Sequence, residues 1–232
     1  MNLIIESQYF PSIILYKILY NFTDIVFEQC ETYQKMGFRN RCQIAGALGV
    51  LDLSIPLAGG RDQNGLTRDV RIAGDRNWQE QHWRTITSCY NRSPWFEYYR
   101  DGLEALFGKP VNFLVDWNLS CFEWTLRVLG LKQTVGVTEE YRRAYAPGEG
   151  ADWRGKLLPR DREKWGAAAA GADTPGWPVA PRYHQVFEDR MGFIPNLSIL
   201  DLLFCEGKEA IRYIRSSDDG KFSAAAAEAF PG

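Results

Sequence analysis

Leu3-Ile4-Ile5, Gln8-Tyr9-Phe10-Pro11, the set Ile14, Leu15, Ile18 and Leu19, and Asp24-Ile25-Val26-Phe27-Glu28 follow one another at the start of the chain. The first apolar run reads as a short buried strand. Pro11 suits the first turn of a helix, where its missing N–H costs nothing. Ile14 with Ile18 and Leu15 with Leu19 are apolar i, i+4 pairs, so that helix is expected to run to about Asn21. Asp24 to Glu28 reads as a second strand. Strand, helix, strand is the signature of an α/β arrangement.

Outward from there the pattern turns antiparallel. Leu51, Leu53, Ile55 and Leu57 alternate with polar residues, as in a strand buried on one face. Residues 40–45 can pair with it through the Gly46–Gly49 turn, and Pro56 puts its end at an edge or bulge. Gly59 to Gly65 reads as a loop, and Val70 with Ile72 suggests a further short strand. Helices are expected over 78–90, with Trp78, His82, Ile86 and Cys89 on one stripe, and over 96–107, closed by Gly108. Residues 112–116 read as a strand, after which Asn118 caps a helix that Gly130 stops. Near the C-terminus, Asn196 or Ser198 caps a helix carrying Leu200, Leu203 and Phe204, and Gly207 ends it.

At 232 residues with 45% hydrophobic content, the chain can bury a core without disulfides. It is read as one α/β domain over residues 1–215, a mixed β-sheet covered by helices. Residues 146–181, rich in Gly, Pro and Ala, form a long flexible loop in this reading, and 216–232 a disordered tail. A net charge of −2 argues against a nucleic-acid partner. The five cysteines show no CxxC pair and no metal-type spacing, which points to reduced thiols in the cytoplasm. The N-terminus lacks a signal-peptide pattern, and the 10–20 stretch is too short to span a bilayer, so no membrane insertion is expected. GxGxxG, P-loop, HExxH and GxSxG motifs are absent. No cofactor and no metal are expected.

His82 on its apolar stripe is read first as a core imidazole, and as a general base if it borders a pocket. Cys89 lies about 10 Å along the same helix, too far for a direct dyad, although Arg92 favours its thiolate. Asp201 and Glu206 disfavour thiolate at Cys205. Among the arginines, Arg41 beside Asn40 at a sheet edge is the pair singled out for an anionic ligand, because a guanidinium holds carboxylate or phosphate through paired hydrogen bonds.

Several separated pieces resemble the WbqC-like protein family: Gln8-Tyr9-Phe10-Pro11, Phe38-Arg39-Asn40-Arg41, Leu53-Ser54-Ile55-Pro56-Leu57, Trp78 through His82, Tyr90 with Ser93-Pro94, Tyr183 with Gln185, and Asn196 through Phe204 with Gly207. The resemblance implies a bacterial protein of a family named from surface-polysaccharide gene sets. Longer members carry a glycine-rich Leu-Ser-Gly segment in their second half; Lys132-Gln133-Thr134-Val135-Gly136 stands there instead.

Together these readings lead to a cytoplasmic transferase acting on a small anionic activated substrate, a nucleotide-linked sugar or an acyl donor. His82 and Asp201 are the catalytic candidates. Gln8, Asn40, Arg41, Tyr90, Gln185 and Ser198 are the substrate-binding candidates, and all eight are expected around one cleft. The alternatives are a non-catalytic binding or scaffold protein that offers aromatic anchors, and a purely structural role for the polar set.

Overall fold

The computed structural model describes residues 2–60, 62–74, 77–146, 148–165 and 178–215. Strands β1 (Asn2–Glu6) and β2 (Asp24–Glu28) pair in parallel, with Leu3 opposite Ile25 and Ile5 opposite Phe27. Parallel neighbours need a crossover, and α1 (Ile13–Leu19) supplies it. Strand β3 (Arg41–Gly46) forms an antiparallel hairpin with β4 (Gly49–Ser54). Helices α2 (Trp78–Tyr90), α3 (Phe96–Phe107) and α4 (Leu114–Leu129) follow. The chain then returns to the first sheet as β5 (Thr134–Val137), beside β2, and β6 (Ala151–Asp152), beside β1. Short α5 (Glu188–Met191) leads to α6 (Ile199–Glu206) and α7 (Ala210–Arg215). The α/β architecture expected from the sequence is present, its mixed strands sorted into a parallel sheet of order β5-β2-β1-β6 and a separate hairpin.

Alternation along β1 and β2 gives the sheet two different faces. Leu3, Ile5, Ile25 and Phe27 enter the core, where Phe27 meets Phe122 of α4 edge to face at 4.9 Å. The opposite face carries Ile4, Glu6, Val26 and Glu28, and the chain after β5 folds over it.

Two expected strands are replaced by other structure. Val70 and Ile72 lie in a stretch with only isolated bridges, Leu57 to Ile72 and Arg71 to Phe113. Residues 112–116 run into α4 from Leu114, so Asn118 lies inside the helix and does not cap it. Its amide donates to the Arg39 carbonyl at 2.8 Å and to Ser7 Oγ at 3.3 Å. Those tertiary partners outweigh the cap preference, and Phe113 stands at the cap position with no side-chain bond.

The described parts of the expected loop at 146–181 are not all surface excursion. They include β6, and Trp153, Leu157 and Ala180 are buried in the core. The Ala167–Ala170 run lies outside the described residues, as does the expected tail at 216–232.

The N-termini of α1 and α6 are tied to each other. Ser198 caps its own helix, its Oγ accepting from Leu200 N. Asn196, held at φ 51°, caps α1 from a distance, its Oδ1 accepting from Ile14 N at 3.0 Å. Ile13 N donates to Leu197 O and Ile199 N to Pro11 O. Gly207 ends α6 at φ 57°, as its sequence position suggests.

Candidate functional site at the carboxyl edge of the parallel sheet

The order β5-β2-β1-β6 places the reversal of strand order between β1 and β6, which run parallel. In open parallel sheets, ligands settle beyond the carboxyl ends of the strands at such a point. The residues found there are mostly charged, and most are buried.

Glu6 ends β1 and Glu28 ends β2, side by side in register and both 0% exposed. Glu6 accepts from Gln8 Nε2 at 3.0 Å and from Gly155 N at 2.9 Å. Glu28 accepts from Cys30 N at 2.7 Å, Thr138 Oγ1 at 2.8 Å and Arg154 at 3.3 Å. Arg154 also forks onto Asp152, from Nε at 2.9 Å and from its terminal nitrogen at 2.6 Å, and donates to the carbonyls of Arg142 and Arg143. Burial pushes the Asp152 carboxyl up, but the Arg154 hydrogen bonds and charge outweigh it and hold it below the usual range. Arg154 thus fastens the segment after β5 to the sheet, with its guanidinium over the rings of Tyr141 and Tyr145.

Arg39 lies beside β1, buried and ion-paired with Glu31. Burial opposes its charge, yet Glu6 and Glu31 together raise its pKa, so it stays a cation. Glu31 is raised, because burial exceeds the pull of Arg39. Tyr33 is raised by burial against the opposing charges of Arg39 and Arg41, which places all three in one neighbourhood. Arg41 is partly exposed, 3.8 Å from Asp52. Asn40 donates to the Ile55 carbonyl at 3.0 Å. The edge therefore grades from sealed Glu6 and Arg39 outward to accessible Arg41.

The eight candidates fall into linked neighbourhoods. Gln8, Asn40 and Arg41 belong to this edge. Tyr90, Gln185 and Asp201 form a second group: Asp201, 0% exposed, accepts from Tyr90 OH at 2.5 Å, Tyr183 OH at 2.6 Å and Gln185 Nε2 at 3.2 Å. Tyr90 OH accepts from Ala45 N at 2.9 Å, and Gln185 exchanges two hydrogen bonds with the Ile194 backbone. Burial raises the Asp201 pKa against the pull of its three donors. His82 is tied to Tyr9, hydroxyl to Nδ1 at 3.0 Å, and to the Ser54 backbone. Burial pushes its pKa down to about 4, so the ring is neutral at pH 7. Ser198 Oγ donates to the Phe10 carbonyl at 2.9 Å, joining the Asp201 helix to the loop that carries Gln8 and Tyr9.

The sequence reading passed over Glu6, Glu28, Glu31 and Arg154, and gave Asn118 only a capping role. A charged residue closing each of two adjacent apolar strands was the available signal for Glu6 and Glu28. Arg154 had none, since β6 is two residues long. Neither thiol that was weighed is activated: burial and Asp201 raise both Cys89 and Cys205.

A cavity of about 360 Å³ lies on the outer sheet face, floored by Ile4 and Val26. Glu139, Glu140 and Glu149 outnumber Arg142 around it, an unfavourable field for an anion. Among the described residues, no cluster of His, Cys, Asp and Glu is arranged to hold a metal ion, and no helix is long and apolar enough to cross a membrane.

The family model described as the WbqC-like protein family matches residues 6–151, more than half of the chain. The match takes in Gln8, Asn40, Arg41, His82 and Tyr90, and it stops before Gln185, Ser198 and Asp201. No curated protein and no solved structure matches.

Proposed function

The chain belongs to the WbqC-like protein family, and from that premise we propose that it is a cytoplasmic bacterial transferase of surface-polysaccharide biosynthesis. Its substrate in this reading is a small anionic activated donor, a nucleotide-linked sugar or an acyl donor. One observation carries the proposal: the segment leading into Arg39 and Arg41 lies just beyond the carboxyl end of β1, where Tyr9 N donates to the Phe38 carbonyl, and β1 is the strand at which the strand order reverses. Parallel sheets receive ligands there, and guanidinium groups are suited to phosphate. Arg41 and Asn40 take the anionic part. His82, the base in this reading, stands behind Tyr9 as a neutral imidazole that burial makes a weak proton acceptor. Asp201 holds Tyr90 and Gln185 in place, and Ser198 fixes the loop.

The test is thermal shift of the purified chain with nucleotide sugars and acyl-coenzyme A, beside Arg41→Ala. A site-specific ligand raises the melting temperature. The Arg41 ion pair is long and partly exposed, so the variant should melt with the wild type yet lose the ligand shift. No shift with either class of donor would defeat the proposal.

The scaffold alternative draws on a different surface. Leu48 at the hairpin turn is 94% exposed, and Leu51 and Met191 are exposed as well. That patch is aliphatic, unlike the aromatic anchors expected, and alanine at Leu48 and Leu51 would abolish partner binding if this surface were the functional one.

A further inference from the structure

The β3–β4 hairpin has one open edge. Gly46 and Gly49 close its two-residue turn, so Ile44 exchanges ladder bonds with Leu51, and Cys42 with Leu53. Val50 and Asp52, which alternate with them, therefore aim their N–H and C=O groups away from β3. The far side of β3 shows the same phase, and there the groups are used: Ala45 N donates to Tyr90 OH, and Gln43 O accepts from Ser198 N. On β4 the Ser54 backbone holds His82. Among the described residues nothing meets the four groups of Val50 and Asp52, and no other strand or bridge borders β4.

A free edge is a template for another strand, and proteins usually blunt it with lysine, proline or a bulge. Strand β4 (Gly49–Ser54) carries none of these, and its register with β3 is unbroken. Leu51, 39% exposed, lies between the two residues with free groups, and Leu48 at the turn is 94% exposed.

We infer that β4 pairs antiparallel with β4 of a second copy across a two-fold axis, joining two hairpins into one four-stranded sheet. The register follows from the groups left over and from charge. With Val50 opposite Asp52 of the second copy, all four groups of each chain are paired. Leu51 then meets Leu51 on the axis, in a non-hydrogen-bonded pair whose α-carbons lie about 4.5 Å apart. Setting Val50 opposite Val50 would leave Asp52 beside the turn with its groups unmet. Setting Asp52 opposite Asp52 would bring like charges face to face. In the favoured register each Asp52 faces a valine and keeps Arg41 of its own chain. A two-fold contact uses the same patch on both chains, so β4 is its own complement. Leu48 of each copy comes alongside Ser54 of the other. The open edge of the parallel sheet, β5, would put Gly136 on such an axis, with no side chain to pack. One short strand from each chain makes a small interface, so the pairing is reversible and depends on concentration. This inference stands apart from the transferase reading.

The test is sedimentation of the full chain over a concentration series, beside Leu51→Lys. The wild type should rise from 26.5 kDa toward twice that mass. Leu51→Lys places two ammonium groups across the axis and should raise the dimer dissociation constant about ten-fold or more. Cysteine variants read the register. Leu51→Cys should form an intermolecular disulfide on mild oxidation, because the opposed α-carbons lie within disulfide range. Val50→Cys and Asp52→Cys should each cross-link only when mixed with the other, and the wild type, whose cysteines are buried or half-buried, should not cross-link. A wild type that stays monomeric at every concentration overturns the inference, as does a dimer that Leu51→Lys leaves intact. Cross-linking of Val50→Cys with itself and none of Leu51→Cys would overturn the register. If Leu51→Lys fails to fold, the cysteine set decides alone.

Discussion

Glu6 and Glu28 are register partners on adjacent parallel strands, both sealed from solvent, yet they are stabilised by separate sets of donors. Glu6 leans on Gln8 and a backbone amide, whereas Glu28 depends on Arg154 for its opposite charge. Arg154→Ala should therefore leave Glu28 as an unpaired buried carboxylate and release the segment after β5. Breaking such a pair costs roughly 3–5 kcal/mol. Adding Glu28→Gln should recover part of the loss, since the two effects share a partner. Urea denaturation measures both, and a loss below about 1 kcal/mol would place Arg154 among ordinary surface ion pairs.

The Asp201 network gives a second prediction. Tyr90→Phe and Tyr183→Phe each remove a hydrogen bond to a carboxylate, worth about 1.5–3 kcal/mol. Both hydroxyls also accept a second bond, but Gln185 Nε2 keeps the Ile194 carbonyl and Asp201 when Tyr183 loses its oxygen, whereas the buried Ala45 amide loses its partner, so Tyr90→Phe should cost more. Equal melting temperatures for the two variants would contradict this ordering.

His82 sets a pH dependence whose sign can be stated. Its folded pKa, about 4, lies below the ordinary 6.5, so the unfolded chain binds the extra proton between those values. Its contribution is complete above pH 6.5 and is lost as pH falls toward 4, on the order of 3 kcal/mol in all. Asp201 acts oppositely. Its raised pKa makes its contribution largest below the unfolded carboxyl value of 3.8, and that contribution declines as pH rises through the folded value. His82→Phe should flatten the acid limb between pH 6.5 and 4, and Asp201→Asn should remove the opposing slope. Urea midpoints across pH 3–8 separate them.

Two glycines with left-handed backbones should respond differently to alanine. Gly130, at φ 67°, faces open space, so Gly130→Ala should cost only the backbone term of about 1–2 kcal/mol. Gly207, at φ 57°, would put its new carbon 2.1 Å from the Trp95 ring. Gly207→Ala should lose at least twice as much and perturb tryptophan fluorescence. Similar melting temperatures for both would count against the Trp95 contact.

Local chemistry was legible from the sequence where it met no rival. The apolar pairs of α1, the Gly46–Gly49 turn and the glycines ending α4 and α6 all act as their types suggest, whereas Pro11 falls just before the Ser12 cap and not in the first turn of the helix. The reading failed where a distant partner competed. Asn118 looks like a cap until Arg39, 79 residues away in sequence, takes its amide. Strand β5 has little apolar alternation because most of it lies exposed at a sheet edge, and β6 is too short to leave a pattern. The candidate site was half legible: Asn40 and Arg41 stood out beside a sheet edge and Gln8 through the family resemblance, whereas Glu6 and Glu28 passed for the ordinary polar ends of strands.

The cap that Asn196 places on α1 spans 182 residues of sequence, and this has a consequence for how the chain is made. During synthesis the first helix leaves the ribosome long before its cap exists. Seven residues make a marginal helix alone, so it must wait. The β1–α1–β2 unit, though local in sequence, can reach its final form only after Asn196 and Leu197 have emerged. Folding of this unit is thereby delayed until residue 196 has been made, and a nascent chain stalled before it would hold the apolar face of α1 available to chaperones.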